Sequence, residues 1–476
     1  MDCYLGIDIG TTNTKVLALG EDGSTRVELS SRTPTYHRDG VAYFDLSALD
    51  RTLRAAVSDA GQRYIIRGIG FSSIGESVVP LDAAGDALED ALVWYDQATR
   101  EIEAELSGRR AELFPYARRG LRSEHTLSVY KMLWMRRHLP AASGVASWLP
   151  VSSYVPYLWS GSQKWDYSQA CRSYLLDIHD RNWDESVLQT LQLDGQLPPI
   201  EYMGTMIGHT ASGIPLYLGG HDHIVGMNGV RALYGSDTIF DSIGSASVLG
   251  GTVEMPEADM ERTLETSDDL IAGVAHAPGW YYVENSTRYF GKLLETTAGM
   301  LSNDAPEVFY RRFNRGMNPQ SIPEGLPLFL VEGDRIVRQE KAGFDIRELS
   351  TSTGTVAVVW GLYLYLALMT RMIRDEIRGM FRDPVFLAGG GASRNTFLMQ
   401  LTSDVLGTPV TLVDVSELSA LGAAVTAAEG AGDDLVVLNA RRAMEERRLE
   451  PSDEADLVRG KTAQLEDRLK AVWARQ

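Results

Sequence analysis

The sequence predicts an α/β fold built from two related domains. Three observations carry that expectation: a length of 476 residues, an alternation of short β-rich runs with helical segments, and a strand–turn–strand device that occurs twice, about half the chain apart. A chain of this size exceeds what a single hydrophobic core serves, and a pair of domains offers a cleft in which ligands commonly sit.

The elements follow in order. Residues 4–9 (YLGIDI) are apolar and β-rich, residues 10–13 (GTTN) turn, and residues 15–19 (KVLAL) resume as a strand that ends at 21–23 (EDG). Helical spacing of apolar residues marks 47–60, after a serine or aspartate start, and 126–138. Residues 238–243 (TIFDSI), 244–247 (GSAS) and the strand from Val248 repeat the plan of the first hairpin. The most apolar run, 355–369, is shorter than the ~20 residues of a membrane span, and Arg371 and Arg374 follow at once, so it reads as a buried core helix. Residues 385–388 (VFLA) lead through 389–395 (GGGASRN) into a helix ending near Leu406. Consecutive glycines after a strand let a ligand lie against bare backbone. The small-residue segment 417–428 suits a helix packed closely on its neighbour, and Pro451-Ser452-Asp453-Glu454 opens a final amphipathic helix toward Trp473. The expected domains are 1–235, 236–432 and a charged helical surface appendage at 433–476.

Bulk properties narrow the function. The hydrophobic share of 44% and the charged share of 23% are those of an ordinary globular protein. A formal charge of -19, from 64 acidic against 45 basic side chains, repels nucleic acid and anionic membranes. A small nucleotide escapes that argument, because backbone N–H groups and a divalent cation hold it without help from net charge. Cys3 and Cys171 are the two cysteines, too few for a disulfide scaffold or a cysteine metal cluster. The first ten residues enter a strand directly, without the regions of a signal peptide, and a cytoplasmic location is expected.

The segment from Asp8 to Lys15 sets a carboxylate at a strand end beside Gly10, the hydroxyls of Thr11 and Thr12, and a cation. That combination suits an Mg²⁺-bound triphosphate, with the carboxylate toward the metal and Gly and Thr N–H groups toward phosphate oxygens. Neither a Walker loop nor a Rossmann fingerprint occurs. The stretch 219–226 (GGHDHIVG) holds Asp222 between His221 and His223, and three chemistries compete for it: metal ligation, a nucleophile with its base, or a carboxylate that takes a proton. On an extended strand residues i and i+2 point away from i+1, so the three side chains would not surround one ion.

Residues 8–15 (DIGTTNTK) resemble the first phosphate loop of the actin, hexokinase and sugar-kinase superfamily, specifically of the FGGY carbohydrate kinases. Other segments agree in order: 94–97 (WYDQ) with the sugar-side segment, 166–170 (DYSQA) and 176–183 with the segment and helix that follow it, 241–246 (DSIGSA) with the second phosphate loop, 389–395 with the adenosine loop, and 421–424 (LGAA) with its closing helix. The similarity spans roughly residues 4 to 430.

The resemblance implies two RNase-H-like (actin-like ATPase) domains with an interdomain catalytic cleft for ATP, Mg²⁺ and a small sugar or polyol. It makes Asp222 the general base, and Asp8 with Asp222 the holders of Mg²⁺. Gly10, Thr11, Thr12, Asn13, Lys15, Gly244 and Ser245 would grip phosphates, and Gly390, Gly391 and Asn395 would frame the adenosine. Gly75, Glu76, Trp94, Asp96, His221, Asp222 and His223 would face the substrate. Glu76 stands where glycerol kinases place a polyol-binding glutamate and xylulokinases a histidine, whereas Gly75 stands where those subgroups place arginine and methionine. Ala98 and Thr99 follow the sugar-side segment in place of its usual arginine, and 283–288 (VENSTR) and 331–335 (VEGDR) depart from the family's nucleotide and sugar segments. The expected reaction is ATP-dependent phosphorylation of a ketose such as a pentulose, or of a polyol, and a homodimer is the assembly considered. The alternative is an actin- or chaperone-like ATPase switch without a sugar, against which the ordered sugar-side segments argue.

Overall fold

A computed structural model describes residues 1–267, 270–287, 289–331, 344–414 and 417–473. Arg288 and residues 332–335, two of the places where the sequence departs from the family pattern, lie outside the described residues. The chain forms two compact units that interleave in sequence: Met1–Ser236 with Thr252–Val283 and Glu417–Ala443, and Asp237–Gly251 with Glu284–Ser416 and Met444–Gln476.

The first unit is built on six strands, β1 (Asp2–Ile9), β2 (Asn13–Gly20), β3 (Thr25–Arg32), β4 (Ile65–Ser73), β5 (Met206–His209) and β6 (Pro215–His221). They lie in the order β5-β6-β4-β1-β2-β3. β1, β4 and β6 run parallel, while β1–β2, β2–β3 and β5–β6 are antiparallel. In the second sheet, of seven strands, β7 (Thr238–Ile243), β8 (Ser247–Glu254), β9 (Val385–Gly389), β10 (Val410–Val413) and β11 (Glu446–Leu449) are consecutive, in the order β8-β7-β9-β10-β11. From β8 to β11 the pairings run antiparallel, parallel, parallel, antiparallel, as they do from β2 through β1, β4 and β6 to β5. The duplicated hairpin read in the sequence is therefore the visible part of a duplicated sheet.

Helix Leu46–Gly61 starts at Asp45, whose side chain accepts from the Ala48 N–H at 2.8 Å, and it buries Leu49 and Leu53. Full burial of such a side chain stabilises by about 2 kcal/mol. The apolar run becomes helix Thr355–Ile377, buried along most of its length within the second unit. Among the described residues one helix, Thr355–Met380, is long and apolar enough to cross a membrane, and 83% of its apolar window is buried in the protein.

The small-residue segment becomes helix Leu418–Gly430, which lies on β1, β4 and helix Asp222–Tyr234. Its backbone comes so near that a Cβ on Gly6 would stand 1.8 Å from the Ala420 carbonyl oxygen, and one on Gly70 would stand 2.0 Å from that of Ala423. Gly229 and Gly422 meet as closely, with a Cβ on the former 2.7 Å from the Cα of the latter.

Residues 433–476 are not a surface appendage. Helix Asp434–Ala443 buries Val436, Val437 and Ala440, β11 pairs with β10, and helix Ala455–Trp473 buries Val458, Thr462, Leu465 and Leu469. The expected boundaries at 235 and 432 differ from the units because charged residues on the outer faces of these elements hide how much apolar surface they bury. Residues 252–283 and 417–443 also return to the first unit.

Gly70→Val should destabilise the fold by about 3 kcal/mol or more, since the helix carbonyls have no room to move aside. Urea denaturation checks this, with Gly108→Ala, at a site with nothing within 4 Å, expected to be nearly neutral.

Candidate active site

Parallel strands deliver their carboxyl ends to one edge, where α/β sheets bind ligands. Register aligns Asp8 with Ser72 and Ile9 with Ser73 on β1 and β4, and sets Gly220 and His221 of β6 beside the same two serines. Asp8 and Asp222 thus come to one edge of the first unit, with β4 between their strands. Asp8 is buried and accepts a hydrogen bond from Ser72 Oγ at 3.2 Å. Burial, and next the charge of Asp222, raise its pKa to about 7, opposed by Lys15 and the Ser72 hydrogen bond.

Asp222 is not on an extended strand. β6 stops at His221 and a helix begins at Asp222, where a carboxylate in the first turn is favoured by the N–H groups and dipole of the helix. Its Oδ1 accepts from the His223 N–H at 2.8 Å and lies 3.6 Å from His221 Nδ1 and 3.9 Å from His223 Nε2, too far for hydrogen bonds to either ring. The strand-to-helix turn, not strand alternation, separates the three side chains: the His221 ring is buried while that of His223 is exposed. Burial, with help from Arg172 and His223, pushes the His221 pKa well down, so the ring is neutral. Its Nδ1 has no hydrogen-bond partner among the described residues. No group of three His, Cys, Asp or Glu side chains that could hold a metal is found among the described residues.

The glycines of this stretch have steric reasons. A Cβ on Gly219 would stand 1.3 Å from the Phe71 carbonyl oxygen, and one on Gly220 2.3 Å from Ser168 Oγ. Ser168 Oγ accepts the His221 N–H at 2.8 Å and donates to the buried Asp166, which also caps helix Tyr167–Arg172. Residues 166–170 thus brace the turn that presents Asp222. Gly75 has the same kind of reason, since a Cβ there would stand 2.4 Å from the His221 ring.

Glu76 is buried and adopts a left-handed backbone, φ 65°. Arg172 Nε donates to its Oε1 at 2.6 Å, and the fully buried Lys131 donates to the Thr126 carbonyl nearby. Burial lowers the Lys131 pKa to about 8 against the charges of Glu76 and Asp96. Trp94 Nε1 donates to Thr11 Oγ1 at 2.8 Å and so holds the first hairpin tip. Both oxygens of Asp96 serve the protein, one accepting from Ala98 N–H at 2.9 Å and the other from Ala42 N–H at 2.8 Å. At the tip the Gly10 N–H donates to the Asn13 carbonyl at 3.1 Å, and Thr12 and Asn13 are exposed. Lys15, opposite Asp8 in the register, pairs with Glu417.

The second unit carries its own glycine loops. The Gly244 N–H donates to the Ala246 carbonyl at 2.8 Å, and helix Phe290–Leu301 abuts this turn, the Lys292 N–H donating to the Ser245 carbonyl at 3.1 Å. Gly390 has φ 99°, with the Ile243 carbonyl oxygen 2.6 Å from where a Cβ would be, and Gly391 is exposed with open space around it. Asn395 caps helix Thr396–Leu406 and closes a ring with Asn314 and Tyr363 through hydrogen bonds of 2.8, 2.8 and 2.9 Å. Its amide is spent on shaping the loop. Asp241 on β7 is buried, accepting from Ser247 Oγ at 2.5 Å, and burial raises its pKa to about 7.

Sequence reasoning found the carboxylates and glycine loops but missed Arg172, Lys131 and Glu417. Arg172 lies two residues past the 166–170 motif, a local signal, whereas nothing near Glu417 points to Lys15.

Two units with one strand pattern, each with a glycine-bearing hairpin tip at the carboxyl edge of its parallel strands, define a class of two-domain actin-like ATPase folds. Residues 3–229 match the N-terminal domain of the FGGY family of carbohydrate kinases, and residues 267–431 match its C-terminal domain. The chain belongs to this family and is a phosphotransferase; kinases of the family use ATP. It is 24% identical over 444 residues to a glycerol kinase of Thermococcus onnurineus, covering 89% of this chain and 88% of that one. It is 23% identical over 465 residues to a xylulose kinase of Staphylococcus epidermidis, covering 90% and 88%. The fold is that of xylulose kinase from Lactobacillus acidophilus (TM-score 0.85, 18% identity, covering 100% and 99%) and of Plasmodium falciparum glycerol kinase (TM-score 0.80, 20% identity, covering 99% and 98%).

The Asp241 carboxyl sets a pH test. Its pKa is about 7 in the fold against an ordinary value of 3.8. The cost of charging it is absent below pH 4, grows as pH rises, and is complete above pH 7, on the order of 4 kcal/mol. The stability of Asp241→Asn, followed by urea denaturation, should therefore fall less between pH 4 and pH 7 than that of the parent; equal slopes would contradict the burial account.

Proposed function

We propose that this chain transfers the γ-phosphoryl group of ATP to a hydroxyl of a small ketose such as a pentulose, or of a polyol, in the cytoplasm, with Asp222 as the general base. The observation that carries the reading is the pairing of two carboxylates in unlike settings at one sheet edge. Asp8 is buried and resists ionisation, whereas Asp222 is partly exposed in the first turn of a helix.

The donor set fits Mg²⁺, a hard cation that takes one or two carboxylates and leaves its other positions to water and phosphate oxygens. Asp8 and Asp222 would hold it, and when bound it neutralises charge on the phosphates. Phosphoryl transfer needs little activation of the nucleophile, so Asp222 has only to orient the acceptor hydroxyl and take its proton as the bond to phosphorus forms. Glu76, held by Arg172, would accept hydrogen bonds from acceptor hydroxyls, and the neutral His221 would offer its unpartnered Nδ1 beside them. His223, exposed next to Asp222, would line the acceptor side, and Trp94 would join it to the phosphate loop through Thr11. Gly10, Thr11, Thr12, Asn13, Lys15, Gly244 and Ser245 are the groups proposed for the phosphates. The backbone of Gly390 and Gly391 is proposed for the adenosine, with Asn395 fixing the loop.

Phosphorylation of a panel of C3 to C7 ketoses and polyols tests the reading, and ATP turnover that no member of the panel stimulates would refute it. Asp222→Asn should lower kcat by about 10²- to 10⁴-fold while ATP still binds. Glu76→Gln should raise the acceptor KM by roughly tenfold or more, the worth of one hydrogen bond to a charged group, and leave the ATP KM in place; a change in the ATP KM alone would remove Glu76 from the acceptor side.

A further inference from the structure

The second unit has a cavity of about 220 Å³ at the edge of its sheet opposite Gly244 and Gly390, where β7, β9 and β10 begin. Three arginines line it, Arg374, Arg378 and Arg448, with one acidic residue, Asp383. Arg374 leaves the last turn of helix Thr355–Ile377 with its side chain buried, donates to the Leu406 carbonyl at 3.3 Å and pairs with Asp375 at 2.7 Å. Arg378 follows four residues later, and its positive charge, after burial itself and the charges of Asp375, acts on Arg374. Arg448 comes from β11 and pairs with Glu450 at 2.6 Å. Neither Asp375 nor Glu450 lines the cavity, so its lining has three arginines to one carboxylate in a chain whose net charge is -19, although two of those arginines are ion-paired behind it.

The negative end of the helix accounts for a cation at Arg374. It does not account for Arg448, which reaches the same cavity from a strand. Pro384 and Pro409 each stand just before a strand at the rim, and their fixed φ restricts the backbone there. Thr408 and Thr411 add hydroxyl donors.

We propose that this cavity binds a phosphomonoester dianion. Arginines brought to one cavity from separate elements suit the oxygens of a phosphate, and the carboxylate of Asp383 can accept hydroxyls on the carbon chain of an ester. The size admits a short phosphorylated polyol or sugar, and inorganic phosphate shares the anionic half of that chemistry. The site stands apart from the phosphate loops and does not rest on the substrate reading.

Isothermal titration of the full-length protein, saturated with an unhydrolysable ATP analogue so that the phosphate loops are filled, tests this with inorganic phosphate and glycerol 3-phosphate as probes. Binding of at least one probe is expected, and Arg378→Glu and Arg448→Glu, both at exposed positions, should each weaken it about tenfold or more. The kcat and the ATP KM of both variants should match the parent. Tighter binding of glycerol 3-phosphate assigns the site to an ester and tighter binding of inorganic phosphate to the free ion; either keeps the dianion site. No binding of either probe, or binding that both variants leave unchanged, overturns it.

Discussion

The first unit depends on a contact between backbones. Helix Leu418–Gly430 presses its carbonyls onto Gly6 and Gly70, at a distance no side chain on those residues would permit. Close approach puts the residue that precedes this helix, Glu417, against Lys15 on β2, and Lys15 stands opposite Asp8 in the sheet. The charges around Asp8 are therefore set by a segment some 400 residues away in sequence. Packing and electrostatics are here one constraint: a bulkier sheet residue would lift the helix, and with it the partner of the lysine.

The same economy appears at the sheet edge that carries Asp8 and Asp222. Gly219, Gly220 and Gly75 are each small because a neighbour occupies the side-chain space: the Phe71 carbonyl, Ser168 and the His221 ring. Ser168 and Asp166 then fix the end of β6, so the carboxylate of Asp222 emerges from a rigid turn at a helix start. In the second unit the side chain of Asn395 is likewise consumed in shaping a loop whose exposed part is the bare backbone of Gly391.

Much of this was legible in the sequence because it is local. Alternating strand patterns, glycine turns and a long apolar helix announce themselves within ten or twenty residues, and ordered motifs supplied the family. The turn at 219–226 was misread as extended because the following helix carries Gly226 and Gly229, poor helix formers chosen for contact with Leu418 and Gly422. The C-terminal residues were misread for the opposite reason, since a charged surface concealed a strand that completes a sheet and a helix that closes a core. Pairings such as Glu76 with Arg172 and Lys15 with Glu417 join distant segments, and one sequence contains no record of them.

The left-handed backbone at Glu76 reaches beyond this chain's own chemistry. A side chain other than glycine pays about 1–2 kcal/mol to sit there, and asparagine, aspartate and histidine tolerate the conformation better than most. The fold thus filters which side chains can be tried at this position. Branched and bulky apolar residues are the most disfavoured by the main chain, while glycine and short polar residues are accepted most readily.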